Sequence, residues 1–140
     1  MGVLAIDPGT EKTGFAVADP LRIALHALPC HRSRGKPASL LDHLETLLEE
    51  RDIAILLVGL PLHMDGREGE RARAVRELVR SLEARFPQLE VVPYDERLTT
   101  KEAEGRLREL GYRGMQIAAR KDSWAALVLL EDWVRSGEPR

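Results

Sequence analysis

Apolar residues along the 140-residue chain recur with the spacing of strands in some stretches and with that of helices in others. Short apolar runs at residues 3–7, 15–19 and 22–28 predict three strands in a meander, because glycine or proline punctuates the joins between them. Nearly continuous apolar runs at residues 53–60 and 89–94 are typical of strands that are buried on both faces. The pattern therefore predicts five strands.

Two helices are predicted on either side of the fourth strand. The first has leucines at i, i+1, i+4, i+7 and i+8 from Leu40, which places them on one helical face. The second has its apolar stripe between Val75 and Phe86. Asp65 and Glu68 precede this stripe and resemble a capping pair, so we expect them to open the second helix.

Two more helices are predicted after the fifth strand. Thr99 begins a T-x-x-E capping box for a helix that ends near Gly111. Residues 111–120 contain two glycines and are expected to form a loop. The last helix is expected to run from about Asp122 to Ser136, and because it is apolar almost all round we expect it to be well buried.

The order of elements, βββαβαβαα, predicts an α/β fold. It implies a mixed five-stranded sheet, with three antiparallel strands followed by βαβ units and with helices on both faces. Right-handed crossovers would make the first, fourth and fifth strands parallel. The length fits a single domain over residues 1–140. Ligands of such sheets bind beyond the carboxyl ends of parallel strands, so those ends are the first place to look for chemistry.

Three acids are expected at that edge. Asp7 ends the first strand, Glu96 follows the last strand, and Asp122 is expected at the start of the last helix. Carboxylates held close together repel each other unless a cation intervenes, and a hard divalent cation with oxygen ligands fits such a site. Each acid also has a structural interpretation: Asp7 as a turn former, Asp122 as a helix cap, and Glu96 as a partner of Arg97 or of a neighbouring helix.

Composition narrows the classes of function. The net charge of −2 does not indicate nucleic acid, but the 17 arginines and 4 lysines are unevenly placed. Residues 97–121 carry four more positive than negative charges, and arginine suits bidentate phosphate contacts, although a solvated surface with ordinary ion pairs remains the alternative. Cys30 is the single cysteine, which excludes an internal disulfide and a cysteine-rich zinc site. No apolar run is long enough to span a membrane, so a reducing, cytoplasmic setting is expected.

Four segments of the chain resemble a known family. They carry the sequences AIDPGTEKTGFAVA, VGLPLHMDG, DERLTT and KDSWAA, and they begin at Ala5, Val58, Asp95 and Lys121. The first resembles the opening of the RNase H-like superfamily, and the four in this order resemble the YqgF (RuvX) family. His63 departs from the family pattern, which usually has asparagine there, and this affects only a loop near the predicted site.

The resemblance implies an RNase H-like nuclease that depends on Mg²⁺ or Mn²⁺. It assigns Asp7, Glu96 and Asp122 as the catalytic acids and metal ligands. It implies action on the 5′ end of pre-16S rRNA in ribosome biogenesis, while kinship with RuvC resolvases leaves Holliday junction cleavage as the alternative. RuvC-type resolvases take their glutamate from the middle parallel strand, which here ends at Leu60 and Pro61. A non-catalytic RNA-binding ribosome-assembly factor is a third hypothesis.

Nucleic acid is therefore the predicted partner, and no membrane is expected. We expect the backbone of Gly9 and Thr10, together with Lys12, to hold a phosphate oxygen. Arg97 is expected to steady the phosphate that is cut, or else to pair with Asp95 or Glu96. The residues expected to follow the nucleic acid backbone away from the cut are Lys101, Arg113, Arg120 and Lys121. The sequence does not indicate an oligomeric state.

Overall fold

The computed structural model describes residues 1–33, 36–97 and 99–140, with side chains described except at residues 37, 99, 100, 118–120 and 122. The strands are β1 (Gly2–Asp7), β2 (Lys12–Ala18), β3 (Leu25–Arg32), β4 (Ile53–Leu60) and β5 (Glu90–Asp95). The helices are α1 (Pro37–Glu49), α2 (Glu70–Arg85), α3 (Thr99–Glu109) and α4 (Met115–Arg135). The predicted order βββαβαβαα is confirmed.

The sheet has the mixed topology that the element order predicts. Its strand order is β3-β2-β1-β4-β5, in which β1, β2 and β3 are antiparallel while β1, β4 and β5 are parallel. Val58 of β4 lies beside Ile6 of β1, and Leu60 of β4 lies beside Asp95 of β5. The carboxyl ends of β1 and β5 therefore meet at one edge of the sheet, with the end of β4 between them.

Helices cover both faces of the sheet, as predicted. Alternation along β1 sends Leu4 and Ile6 into the core under α1 and α2, and Val3 and Ala5 into the core under α4. The face under α4 has several small residues, which lets this helix pack close to the strands, and Trp133 of α4 is fully buried there. The α3 helix packs on α4 rather than on the sheet. None of the helices in the described ranges is both long and apolar enough to cross a membrane.

The last helix begins earlier than predicted. It starts at Met115, so the expected loop over residues 111–120 is confirmed only as far as Gly114, and Asp122 lies inside α4 rather than at its start. Gly111 and Gly114 both have positive φ, which explains the turn that precedes the helix. Residues 115–121 lack glycine and proline and are mostly good helix formers, and this propensity was the signal for the earlier start.

Two other boundaries differ from the prediction. The third strand begins at Leu25 and runs to Arg32, because residues 19–24 form a turn whose backbone amides bind the Asp19 carboxylate. Asp65 and Glu68 do not open α2, which begins at Glu70 after Gly69 without a side-chain cap. Both acids bind arginines instead, as ion pairs on the surface of the loop and of α2.

The third helix ends close to where the sequence predicts. It ends at Glu109, two residues before Gly111. The side chain of Thr99, on which the predicted capping box depends, lies outside the described residues.

Candidate active site

Asp7 and Glu96 meet across the end of β4. Asp7 is the last residue of β1 and its exposed fraction is 9%, while Glu96 directly follows β5. The backbone N–H of Glu96 donates to the carbonyl of Leu60 at 3.1 Å, which fixes Glu96 to the end of β4. The two carboxyl groups are joined by a hydrogen bond. The two predicted acids at the ends of β1 and β5 are thus brought together.

Gly59 of β4 makes room for this pair. A Cβ atom built on Gly59 would collide with Oε2 of Glu96 and would approach Leu129 of α4 at 3.2 Å. The Glu96 side chain therefore crosses β4 above a residue that has no side chain. By strand alternation Asp7 and Gly59 belong to the face covered by α4, since Ala5 and Leu57 lie in the core on that side.

The surroundings of Glu96 favour its protonated form. Burial is the largest cause, the hydrogen bond to Asp7 and the charge of Asp7 add to it, and the pKa of Glu96 is raised well above its ordinary value of 4.5. Arg71 opposes this shift and Asp95 adds a small increase. Two coupled carboxyls of this kind hold a proton between them at neutral pH. A divalent cation at the same position would replace that proton.

The neighbouring acid Asp95 is neutralised by an arginine. Arg97 donates from Nε to Oδ2 of Asp95 at 2.8 Å, and its second terminal nitrogen lies 2.7 Å from the same oxygen. The Arg97 guanidinium also donates to the Met64 carbonyl at 3.1 Å, which ties the loop after β4 to the end of β5. The alternative interpretation of Arg97, an ion pair with Asp95, is therefore confirmed. The side chain is partly exposed and lies beside the pair, but it is directed to Asp95 rather than to Glu96.

The loop after β1 lies at the same edge. A Cβ atom on Gly9 would collide with the carbonyl of Lys12, so the tight turn requires glycine at this position. Gly9 and Thr10 line a cleft of about 210 Å³ beside the turn. Lys12 begins β2 and pairs with Arg32 of β3, so it lies on the sheet rather than in that cleft.

Arg71 belongs to the site, although the sequence did not single it out. It is the second residue of α2, and its guanidinium donates to the Pro8 carbonyl at 3.0 Å. Its charge acts on Glu96, and its side chain lines the cleft next to Gly9. Seven arginines occur between residues 51 and 85, so the spacing alone could not show which of them reaches the edge. The available signal was its place in the first turn of the helix that follows β4.

The outlying basic residues form a second group between α3 and α4. Arg113 and Lys121 line a cavity of about 260 Å³ together with Arg108, which is not one of the binding residues predicted from the sequence. Glu104 also lines this cavity, and it lies 3.8 Å from Arg108 and 4.0 Å from Lys121. Lys101 is exposed on α3 and does not line this cavity.

Asp122 and Arg120 lie in α4, but their side chains lie outside the described residues. The expected role of Asp122 as a helix cap is wrong, since seven helical residues precede it. The backbone next to it is well anchored, because Ser123 is buried and its hydroxyl donates to the Leu28 carbonyl of β3. Asp122 therefore belongs to the helix that covers the Asp7 face of the sheet.

The donor set fits a hard divalent cation. Asp7 and Glu96 supply carboxylate oxygens from two rigid strand ends, and Gly59 leaves the space that brings the two groups together. Among the side chains that the structure describes, no group of three metal-binding residues is found. The pair could take a magnesium-type ion with water or phosphate oxygens as its remaining ligands.

Comparison with known proteins agrees with this geometry. The family model "RuvX: Holliday junction resolvase" matches residues 1–136. A relative from Anaeromyxobacter sp., named "Putative pre-16S rRNA nuclease", is 40% identical over 134 residues, which are 96% of each chain. A relative of the same name from Rubrobacter xylanophilus is 38% identical over 135 residues, which are 96% of this chain and 93% of that protein.

Solved structures show the same fold at low sequence identity. The structure of RuvC from Thermus thermophilus matches with a TM-score of 0.60 at 16% identity, covering 99% of this chain and 98% of that one. Fowlpox virus resolvase, solved in complex with Holliday junction DNA, matches with a TM-score of 0.59 at 9% identity, covering 97% of this chain and 98% of that one. The predicted RNase H-like fold is confirmed.

Proposed function

Since the chain belongs to the RuvX family, we propose that it is a divalent-metal-dependent endonuclease that processes the 5′ end of pre-16S rRNA. The observation that carries the proposal is the buried Asp7–Glu96 pair, whose mutual repulsion a cation would relieve. A protein that only binds RNA gains nothing from buried negative charge at this edge. The names of the relatives support rRNA as the substrate.

Asp7, Glu96 and Asp122 are the proposed metal ligands. When bound, Mg²⁺ or Mn²⁺ would lower the pKa of a water that attacks phosphorus and would stabilise the leaving oxygen. Asp7 is paired with Gly14 in the β1–β2 ladder, which fixes its backbone at the end of β1. Glu96 is held through its backbone bond to Leu60 and its passage over Gly59. The α4 helix brings Asp122 to the same face of the sheet.

Cations on the chain itself would hold the substrate. Arg71 lies close enough to act on Glu96 and would bind a phosphate oxygen at the edge, where it also limits the repulsion between the acids and the phosphate. The loop at Gly9 and Thr10 approaches the same space with its backbone. Arg113 and Lys121, with Arg108, would contact the nucleic acid backbone farther along α3 and α4.

A cleavage experiment tests the reaction and its substrate together. The wild-type chain is incubated with Mg²⁺ or Mn²⁺ and either RNA that carries the 5′ precursor junction of 16S rRNA or a four-way DNA junction. Glu96→Gln and Asp122→Asn are run beside Glu77→Gln, a matched change on the exposed face of α2. We expect metal-dependent cutting of the RNA that each of the first two changes lowers by about a hundredfold or more, while Glu77→Gln leaves it unchanged.

Three other outcomes would change the conclusion. Cutting of the DNA junction alone would identify a resolvase with the same chemistry. Tight RNA binding without cutting, unaffected by Glu96→Gln, would identify an assembly factor. Full activity of Asp122→Asn with loss in Glu96→Gln would remove Asp122 from the ligand set and leave the Asp7–Glu96 pair as the centre.

A further inference from the structure

We propose that the cleft beside Arg71 binds one nucleotide of the substrate strand, at a position that flanks the bond that is cut. The cleft lies between α1, α2 and the loop after β1. Arg71 and Lys36 line its polar side, and Leu40, Ala74, Val75 and Leu78 line its apolar side. Its place beside the bond that is cut rests on the proposed function, whereas nucleotide binding itself does not.

The cleft is small and lies at the edge of the sheet, which suits one unit of a nucleic acid strand rather than a whole ligand. Its volume is about 210 Å³, below the roughly 300–1000 Å³ of pockets that enclose whole drug-sized ligands. It opens on the face of the sheet covered by α1 and α2, whereas Asp7 faces α4. Pro8 and Gly9, which line the cleft, directly follow Asp7 in the chain. A strand that crosses the edge of the sheet would thus place one nucleotide in the cleft and the next phosphate near Asp7.

The polar side of the cleft fits phosphate and sugar. Arg71 uses one N–H for the Pro8 carbonyl, and a guanidinium carries five such donors. Lys36 adds a second cation, and Thr10 and Ser33 add hydroxyl groups. Among the described residues that line the cleft none is acidic, in contrast to the cavity between α3 and α4, where Glu104 faces the cations. A charge-assisted contact with a phosphate diester is therefore favoured here.

The apolar side of the cleft fits a base. Leu40 and Val75 belong to the core but reach its floor, while Ala74 is exposed and Leu78 is half-buried on the wall. An apolar wall would not stabilise an ion or a bare phosphate. A nucleobase presents two flat apolar faces and can be held between apolar side chains. Only 4% of the residues are aromatic, so we expect the base to be held in this cleft by aliphatic side chains rather than by stacking on aromatic rings.

A pair of alanine-to-leucine changes on one helix tests the proposal. Ala74→Leu would fill the cleft from an exposed position, and Ala84→Leu makes the same change at another exposed position of α2, outside the cleft. Both are made in the Glu96→Gln chain, so that the RNA stays uncut during the measurement. Affinity for a labelled single-stranded oligoribonucleotide is measured by fluorescence anisotropy in Mg²⁺. We expect Ala74→Leu to weaken binding by about tenfold, and Ala84→Leu to change it by less than about twofold.

An abasic scan locates the nucleotide. One base at a time is removed from the oligoribonucleotide, and each RNA is measured with both leucine variants. At one position, loss of the base should weaken binding to Ala84→Leu but not to Ala74→Leu, because in the latter the base is already excluded. Equal affinity of the two leucine variants, or equal sensitivity of both to every abasic position, would overturn the proposal. Failure of cleavage in the wild-type chain would instead leave this binding result intact.

Discussion

At the two ends of the sheet, carboxyl groups have pKa values shifted in opposite directions. At one end, Asp19 follows β2 and accepts hydrogen bonds from the backbone of Ile23 at 2.7 Å and of Ala24 at 2.9 Å. These bonds lower the pKa of Asp19 below its ordinary value of 3.8. At the other end, Glu96 lies against Asp7, and the pKa of Glu96 is raised. One acid is stabilised as an anion and the other is not.

This difference indicates that the Asp7–Glu96 end of the sheet is the binding end. Asp19 organises a turn, and its surroundings lower the free energy of the folded chain. A buried carboxyl pair lacks that benefit and is maintained by rigid strand ends, which is typical of a functional site. Arg97 could have neutralised Glu96 but is directed to Asp95 instead. The chain therefore keeps the negative charge of the pair available for a cation.

The largest expected effect comes from closing the space at Gly59. Gly59→Ala puts a Cβ where Oε2 of Glu96 lies, so the Glu96 carboxyl must leave its present position beside Asp7. We expect metal-dependent cleavage to fall by about a hundredfold, the cost of a displacement of about 1 Å in a catalytic group. The rate is measured at saturating metal with the RNA substrate.

Gly105→Ala is the matched control for this change. Among the residues whose side chains are described, none lies within 4 Å of a Cβ built on Gly105, which is inside α3. Alanine there should leave cleavage unchanged and should stabilise the chain by about 0.5–1 kcal/mol, because glycine is a poor helix former. Equal rates in wild type and Gly59→Ala would show that the approach of Glu96 over β4 is not needed for cleavage.

The second effect is on stability in the absence of metal. Between pH 4.5 and its raised pKa, Glu96 binds a proton in the folded chain but not in the unfolded one, so this group makes stability fall as pH rises. Glu96→Gln removes that dependence. In EDTA, its stability relative to wild type should increase from pH 5 to pH 9, by about 1.4 kcal/mol for each unit of the pKa shift expressed in that range.

Bound metal should make the wild-type chain more stable than Glu96→Gln, the reverse of the order expected in EDTA at pH 8. Millimolar Mg²⁺ is expected to raise the Tm of the wild-type chain at pH 8 and to raise that of Glu96→Gln much less, because a ligand stabilises only the folded form that binds it. Thermal unfolding followed by circular dichroism, with and without Mg²⁺, gives both quantities. A stability difference between the two chains that stays constant from pH 5 to pH 9 in EDTA would contradict the assignment of the raised pKa.

Most of the fold could be predicted from the sequence because periodicity reports burial directly. The apolar runs that became β4 and β5 are buried strands, and the end of each parallel strand fixed where Asp7 and Glu96 would meet. The start of α4 differs from the prediction because Gly111 and Gly114 favour a loop, whereas the helix propensity of the residues after Gly114 extends the helix back to Met115. The strand β3 begins later than predicted because the Asp19 side chain accepts backbone hydrogen bonds that form a turn. The spacing of apolar residues does not indicate such a turn.

The site was only partly predictable because it depends on contacts between distant elements. Gly59 is one glycine among eleven, and its role follows only from the path of the Glu96 side chain over β4. Arg71 needed the packing of α2 beside the loop at Pro8 before it could be distinguished from its neighbours. Sequence spacing does not indicate which of two adjacent acids Arg97 pairs with, and side-chain geometry shows that the partner is Asp95.

The smallest expected effect is at the opposite end of the sheet. Asp19→Asn keeps an oxygen that can accept the two backbone bonds but removes the charge, so we expect a slight fall in Tm at pH 7 and cleavage within about twofold of wild type. The stability that Asp19 contributes is present above pH 3.8 and is lost as pH falls through its lowered pKa in the folded chain. The difference in Tm between the two chains should therefore shrink when both are unfolded at progressively lower pH. An Asp19→Asn chain that lost cleavage would show that this end also serves the reaction, and the contrast between the two ends would then fail.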